Sequence, residues 1–162
     1  MNYFKIDLSL DDNTKTRLIQ DALSSDDYYY HSTKSGRYTN LDFLPRQYDV
    51  IADLFITKPH MMSLLKIEPN KLVDWHTDNK DNKRDAVVRD AVVIFPLTKN
   101  YAPCTIEEGD IPCMDCYAFN TQSRHKVQNN SETRISLQLF YDMNIEELCR
   151  IHTVENQLIH GI

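Results

Sequence analysis

The sequence predicts a mainly β protein of the α+β class, a sandwich or barrel of short strands with helices at both ends. Runs rich in β-branched and aromatic residues follow one another between Met61 and Asp142, with short polar turns between them. Segments with helical spacing of apolar residues lie before and after these runs. The length of 162 residues suits one domain with a core of its own. We therefore expect a single domain, 1–162, with a mostly helical N-terminal cover (1–60), a β core (61–142) and a C-terminal helix and tail (143–162).

Two amphipathic helices are expected in the N-terminal cover. The first should begin near Asp12 or Asn13, either of which can cap it, and its apolar face would carry Leu18, Ile19, Ala22 and Leu23. The second should follow Pro45 and end before Pro59, with an apolar stripe of Tyr48, Ile51, Leu54 and Phe55. The residues between the two helices resemble a loop with short extended pieces.

About eight short strands are expected after the helices. They correspond to residues 62–67, 72–78, 86–88, 91–97, 104–106, 114–120, 124–128 and 133–142. The run from Ala91 to Leu97 is apolar at both parities, so it should be covered on both faces, and the N-terminal helices are the natural cover for one of them. A closing helix is predicted from Asn144 to about His152, with Asn144 as its cap.

Charge and hydropathy exclude some classes of partner. The formal net charge is −6, and the one basic cluster, at residues 80–89, is interleaved with aspartates, which is typical of a solvated loop. We therefore expect no nucleic-acid partner. No apolar stretch approaches the length of a membrane span, and the N-terminus lacks the layout of a signal peptide. The simplest expectation is a cytoplasmic protein without a membrane partner.

The four cysteines leave two interpretations open. Without an export signal, Cys104, Cys113, Cys116 and Cys149 are expected to be free thiols. Cys113 and Cys116 form a single Cys-x-x-Cys, so a zinc-stapled interaction module built on Cys104, Cys113 and Cys116 is an alternative. Structural zinc sites usually combine two compact ligand pairs, and the second pair is missing here.

The first stretch that indicates chemistry is Asp74-Trp75-His76-Thr77-Asp78. On an extended backbone, His76 and Asp78 project to the same face and Trp75 to the opposite face. This spacing lets one imidazole and one carboxylate occupy adjacent corners of a metal ion. Taken alone, the pattern also fits a strand end with solvated side chains.

The second stretch runs from Arg124 to Leu139. Asn129-Asn130 marks a reversal between two strands, and His125 and Arg134 lie nearly symmetrically about it, so both can reach one cavity. On the second strand Arg134, Ser136 and Gln138 share a polar face, which either faces water or lines a polar pocket.

Together, His76-x-Asp78, a distant His125 and Arg134 nine residues later resemble the 2-oxoglutarate-dependent Fe(II) oxygenases. Within that superfamily the layout is most similar to the aspartyl/asparaginyl β-hydroxylase branch, which includes free-proline hydroxylases. The resemblance spans about Leu64 to Asp142. Its most specific part is His125-x-Val127-x-Asn129 followed by Arg134-x-Ser136-x-Gln138.

The resemblance implies a fold, a function and a set of ligands. It implies a double-stranded β-helix, the jelly-roll of cupins, with the N-terminal helices packed on one sheet. It implies Fe(II) held by His76, Asp78 and His125, and 2-oxoglutarate held by Arg134 with help from Ser136. The implied activity is an O₂-dependent hydroxylation of an amino acid, free or within a peptide or protein. The alternatives are a non-catalytic, cupin-like metal- or ligand-binding protein and the zinc-stapled module described above.

Overall fold

The computed structural model describes residues 1–25, 29–33, 36–43, 48–55, 57–78 and 90–159. In these ranges the chain forms three helices, α1 (Asp12–Ser24), α2 (Asp49–Ala52) and α3 (Ile145–Ile159). The strands are β1 (Tyr3–Lys5), β2 (Tyr29–Thr33), β3 (Gly36–Phe43), β4 (Met61–Ile67), β5 (Leu72–His76), β6 (Ala91–Pro96), β7 (Thr105–Ile106), β8 (Gly109–Asp110), β9 (Tyr117–Asn120), β10 (His125–Gln128) and β11 (Arg134–Tyr141). The predicted strand at 86–88 and the basic cluster at 80–89 lie outside the described residues.

The strands form two antiparallel sheets. The larger has seven strands in the order β1-β9-β6-β11-β4-β3-β2, and the smaller has four in the order β5-β10-β7-β8. Most neighbours along the two sheets are distant along the chain, and long-range pairing such as that of β11 with β4 and β6 holds the sheets together. Side chains from both sheets share one apolar cluster, which includes Ile67 and Ile94 from the large sheet and Val73 and Val127 from the small one. The two sheets therefore face each other, and the mainly β class is confirmed.

The large sheet is buried on both faces, as the pattern of β6 predicted. Ala91, Val93 and Phe95 lie in the cluster on the outer face, where Leu18 of α1 and Ile51 of α2 pack. Val92 and Ile94 lie in the cluster between the sheets. Because the outer face is covered by helices, the inner face is the one available for a site.

The helix boundaries differ from the predicted ones in three places. The cap of α1 is Asp11, not Asp12 or Asn13: its carboxylate accepts a hydrogen bond from the Thr14 amide at 2.7 Å. Helix α2 is a single turn, so Pro59 does not end it, although Ile51 and Phe55 of the predicted stripe are buried. Helix α3 continues to Ile159, and Asn144 caps it as predicted by accepting from the Glu147 amide at 2.8 Å.

The first sixty residues are less helical than expected, because they also contribute β1, β2 and β3 to the large sheet. Strand β3 pairs with β4 over Tyr38–Phe43, and β1 pairs with β9. These strands lack a strong apolar alternation, and backbone pairing with a buried neighbouring strand stabilises them instead. No helix in the described part of the chain is long and apolar enough to cross a membrane.

Candidate metal centre and adjoining cavity

A cavity lies between the two sheets, with an empty volume of about 640 Å³ including its opening to solvent. Its walls are largely apolar, with Leu65, Ile94, Phe119, Val127 and Phe140 among them. All five residues that the sequence singled out for chemistry also line it, namely His76, Asp78, His125, Arg134 and Ser136. A mostly apolar cleft with a few convergent polar groups is the usual form of a ligand site.

His76 and His125 lie side by side on neighbouring strands. They are partners in the register of β5 with β10, and their ring centroids are 4.3 Å apart. The Nδ1 of His76 is 2.7 Å from the carbonyl oxygen of Asp74, and the Nδ1 of His125 is 2.8 Å from that of Ser123. A carbonyl oxygen only accepts, so each Nδ1 carries the hydrogen and each neutral ring presents a lone pair at Nε2.

Asp78 completes the group of ligand atoms. Its Oδ1 lies 3.7 Å from Nε2 of His76 and 3.3 Å from Nε2 of His125. Its amide donates to the carbonyl of Thr121 at 2.9 Å, and the Gln122 side chain donates to its carbonyl at 2.9 Å, so the backbone is fixed where β5 ends. Ligand atoms of the three residues all lie within 4.8 Å of one another. Adjacent ligands of an octahedral ion with bonds of about 2.1 Å are about 3 Å apart, so the set fits one metal after small shifts.

The two imidazoles have opposite pKa shifts. Burial lowers the pKa of His76, and the neighbouring His125 lowers it further. Burial also acts to lower the pKa of His125, but the hydrogen bond and the attraction from Asp78, helped by the Ser123 carbonyl, outweigh it and raise that pKa above its ordinary value. Without a metal, the negative charge of Asp78 therefore stabilises the protonated form of His125. A metal cation bound at this position would balance the same carboxylate charge.

Arg134 places a positive charge inside the cavity. The residue is only 3 % exposed. Its Nε donates to the Ala102 carbonyl at 3.0 Å, its Nη2 donates to the Tyr101 hydroxyl, and its guanidinium carbon lies 3.9 Å from the centroid of the Tyr101 ring. Among the described residues it has no carboxylate partner, and its buried Nη1 has no hydrogen-bond partner. A buried guanidinium with an unused donor fits an anionic ligand.

Ser136 extends the same polar end of the cavity. It follows Arg134 by two residues on β11 and faces the same side. Its hydroxyl is fully buried and lies near the Tyr101 hydroxyl, but it makes no hydrogen bond of good geometry with any described residue. An unused hydroxyl beside an unused guanidinium N–H is the arrangement that a carboxylate can satisfy.

Sequence reasoning missed Tyr101 and Tyr117. Both line the cavity, and their hydroxyls are 3.4 Å apart. Burial raises the pKa of both phenols, so they remain neutral hydrogen-bonding groups at physiological pH. Tyr117 lies on a strand that was predicted, but Tyr101 follows β6 in an irregular segment where periodicity gives no signal.

The cysteines do not form a second metal site in the described part of the chain. Cys104 lies in the cluster between the sheets, Cys116 lies in the outer cluster, and Cys113 is exposed. His76, Asp78 and His125 are the only group of three or more potential ligands that the described residues bring together. The geometry therefore gives the zinc-stapled module no support, and all four cysteines are free thiols as predicted.

Comparisons with known proteins identify the fold. No family model and no curated protein matches the sequence. Among solved structures, the chain is similar to a prolyl-4-hydroxylase from Pseudomonas putida, with 15 % identity, a TM-score of 0.64, and coverage of 88 % of this chain and 94 % of that one. It is also similar to a viral collagen prolyl hydroxylase from Paramecium bursaria Chlorella virus-1 in complex with 2-oxoglutarate, with 17 % identity, a TM-score of 0.58, and coverage of 86 % and 95 %.

A third similar structure is a prolyl hydroxylase from Trichoplax adhaerens in complex with a peptide fragment of hypoxia-inducible factor. It shares 11 % identity with this chain at a TM-score of 0.58, with coverage of 86 % of this chain and 81 % of that one. The fold is therefore similar to the jelly-roll of these prolyl hydroxylases. The double-stranded β-helix core that the sequence resemblance implied is confirmed.

Proposed function

We propose that this protein is an Fe(II)- and 2-oxoglutarate-dependent dioxygenase that hydroxylates an amino-acid residue of its substrate. One observation carries the proposal. A group of two imidazoles and one carboxylate shares a cavity with a buried guanidinium and a buried hydroxyl, both of which have unused hydrogen-bonding capacity. The first group suits a metal cation and the second suits an organic anion.

His76, Asp78 and His125 would hold the iron. Two histidines and one carboxylate occupy one face of an octahedral ion and leave the opposite positions free for co-substrate and O₂. The backbone carbonyls of Asp74 and Ser123 fix the ring orientation of the two histidines, which keeps their Nε2 atoms available to the metal.

Arg134 and Ser136 would hold the distal carboxylate of 2-oxoglutarate, with the Tyr101 hydroxyl beside them. The unused Nη1 of Arg134 and the unused Oγ of Ser136 are donors that this carboxylate can satisfy. When bound, iron and 2-oxoglutarate supply the oxidation: the oxo acid takes up one oxygen atom of O₂ and leaves as succinate and CO₂, and the other atom enters a C–H bond of the substrate. The apolar walls around the site exclude water that would compete with the substrate.

A residue within a peptide is the substrate class we favour. The similar Trichoplax enzyme is complexed with a peptide, and the other two similar structures are prolyl hydroxylases, one of them a collagen prolyl hydroxylase. The support for this substrate class is analogy of fold.

Anaerobic addition of Fe(II) and 2-oxoglutarate to the pure protein tests the proposal. We expect a visible metal-to-ligand charge-transfer band, and succinate once O₂ is admitted. His76→Ala and His125→Ala should abolish both, whereas His60→Ala, which changes an exposed histidine outside the cavity, should abolish neither. A metal-binding protein that forms no succinate would be the non-catalytic alternative. If the two ligand variants behave like the parent, the site is wrongly assigned.

A further inference from the structure

The strand that carries His76 and leads to Asp78 contains a β-bulge. In the pairing of β5 with β10, His76 is opposite His125, but Val73 is opposite Val127. Three steps along β5 therefore match two steps along β10, and Asp74 and Trp75 together lie opposite Lys126. An extra residue of this kind breaks the alternation of a strand and re-aims the side chains that follow it.

The bulge determines the face on which the metal ligands lie. Val73 lines the cavity, and so do His76 and Asp78. On a regular strand, residues an odd number of positions from Val73 would point away from the cavity, so both ligands would face the outside of the small sheet. One extra residue turns both of them inward at once.

Asp74 holds this bulge through two of its oxygens. Its carboxylate oxygen Oδ1 accepts the backbone N–H of Trp75 at 2.8 Å, which gives a partner to an amide of the bulge. Its carbonyl oxygen accepts the Nδ1–H of His76 at 2.7 Å. A single residue therefore fixes the backbone that presents His76 and the orientation of the His76 ring.

The side chain of Trp75, the second residue of the bulge, lies on the outer face of the small sheet. Its ring centroid lies 5.0 Å from Nζ of Lys126 and 5.6 Å from the guanidinium carbon of Arg124. Both cations belong to β10 or the residue just before it, so the indole packs against the outer face of the small sheet, opposite the cavity.

We propose that Asp74 is the positioning residue of the metal centre: it holds the bulge that turns His76 and Asp78 into the cavity and fixes the His76 ring for binding through Nε2. The inference rests on the proposed function in that it takes these residues as metal ligands. Asp74 acts through His76 and does not itself bind the metal. Its carboxylate serves as a hydrogen-bond acceptor, so an amide oxygen at the same place should replace it.

Titration of the purified protein with Co(II) alone, under argon, tests this role. The visible absorption of bound Co(II) reports both affinity and ligand geometry. Asp74→Ala removes the acceptor of the Trp75 amide but keeps the carbonyl that orients His76, so it should loosen the bulge, weaken binding by about 10-fold and alter the spectrum. Asp74→Asn keeps an acceptor for the Trp75 amide, so its affinity and spectrum should stay close to those of the parent. The matched control is Asp110→Ala, which removes another carboxylate of the small sheet, one that accepts from the Thr105 hydroxyl, and should leave Co(II) binding unchanged.

Deletion of Asp74 is a second, independent variant, since it restores a regular strand. It should retain the β-rich circular dichroism spectrum and bind Co(II) nearly as tightly as the parent, because Val73, His76 and Asp78 then lie at even spacing and both ligands still face the cavity. Parent-like binding by Asp74→Ala, or an equal loss in Asp74→Asn, would overturn the inference, and so would a parent protein that binds no Co(II). Binding that depends on Asp74 in a protein that forms no succinate would support the inference and reject the dioxygenase.

Discussion

The Oδ1 atom of Asp78 lies 3.3 Å from Nε2 of His125, a residue on a different strand that the fold brings to the end of β5. The contact joins the two stretches that the sequence singled out. In the metal-free protein it is an ion pair when His125 is protonated, and a metal bound there would replace the proton. Proton and metal therefore compete for the same nitrogen.

This competition predicts the pH dependence of metal binding. Because Asp78 holds the pKa of His125 above the ordinary histidine value, affinity for Co(II) should begin to fall at a higher pH than for an unperturbed imidazole. The lowered pKa of His76 means that this ring is already neutral in that range. Co(II) titrations at a series of pH values, with NMR of the imidazole nitrogens in the metal-free protein, test the prediction. It is wrong if His125 titrates at a lower pH than His76.

The same shift affects the stability of the metal-free fold. A pKa that is higher in the folded than in the unfolded state stabilises the fold fully at pH values below the unfolded-state pKa. The contribution is lost as the pH rises through the folded-state pKa of His125. Asp78→Asn, which removes the carboxylate, should weaken this dependence when urea unfolding is compared at pH 5 and pH 8.

How far the sequence alone predicts the site can be judged from β5. The two-residue spacing of His76 and Asp78 correctly placed them on one face, because alternation is a local property of extended chains. It did not reveal that a bulge after Val73 selects which face that is. A bulge depends on pairing with β10, and no pattern within β5 itself indicates it.

Tyr101 and the N-terminal strands are features that the sequence did not predict. Tyr101 contacts Arg134 from an irregular segment whose path is set by packing between the sheets, so its spacing from Arg134 carries no signal. Strands β2 and β3 are short of apolar alternation and are extended because they pair with each other and with β4. The continuously apolar β6 and the alternating β11, in contrast, were predicted nearly to their ends.

Arg134 should determine affinity for 2-oxoglutarate. Arg134→Ala removes the charge and the unused donor, so binding should weaken by about 10–100-fold, corresponding to about 1.5–3 kcal/mol for hydrogen bonds to a charged group. Arg134→Lys keeps the charge but loses the planar pair of donors, and an intermediate effect is expected. Isothermal titration with 2-oxoglutarate in the presence of Mn(II) measures this directly.

Binding of Co(II) alone is the internal control for these variants. It should be nearly unchanged in both, since Arg134 is not among the clustered metal ligands. An Arg134→Ala variant that binds 2-oxoglutarate as tightly as the parent would show that the diacid is anchored elsewhere.

The cysteines should react in an order set by burial. Burial raises the pKa of Cys104 to about 12 and raises that of Cys116 well above its ordinary value, so both stay protonated and inert. Cys113 is exposed and should be labelled by iodoacetamide first. Peptide mass spectrometry at increasing labelling times gives the order, and urea should expose Cys104 and Cys116.

Replacement of the same thiols separates the free-thiol interpretation from the zinc module. Cys113→Ser should leave metal content and thermal stability close to those of the parent, because an exposed thiol outside the candidate metal centre contributes little to either. Stoichiometric zinc that disappears in this variant would instead support the zinc-stapled module.

Asn129 should be the most sensitive polar position outside the cavity. It is 4 % exposed, and its Nδ2 lies 3.1, 2.9 and 2.8 Å from the carbonyl oxygens of Ile67, Glu68 and Glu132, while its Oδ1 accepts from the Asn130 amide at 2.9 Å. These contacts join the turn between β10 and β11 to the end of β4, and so fix the strands that carry His125 and Arg134.

Asn129→Ala should therefore lower the free energy of unfolding by about 2–3 kcal/mol, since it leaves several buried backbone groups without partners. Asn129→Asp is nearly isosteric, but it replaces the Nδ2 donor with a carboxylate oxygen that faces the three carbonyl oxygens. At neutral pH it should therefore lower the free energy of unfolding by at least as much as Asn129→Ala. Gln128→Ala, at the exposed neighbouring position, is the control and should change the value by less than about 1 kcal/mol. Urea unfolding of the three variants measures these free energies of unfolding. Equal values for Asn129→Ala and Gln128→Ala would mean that the turn is held by its backbone alone.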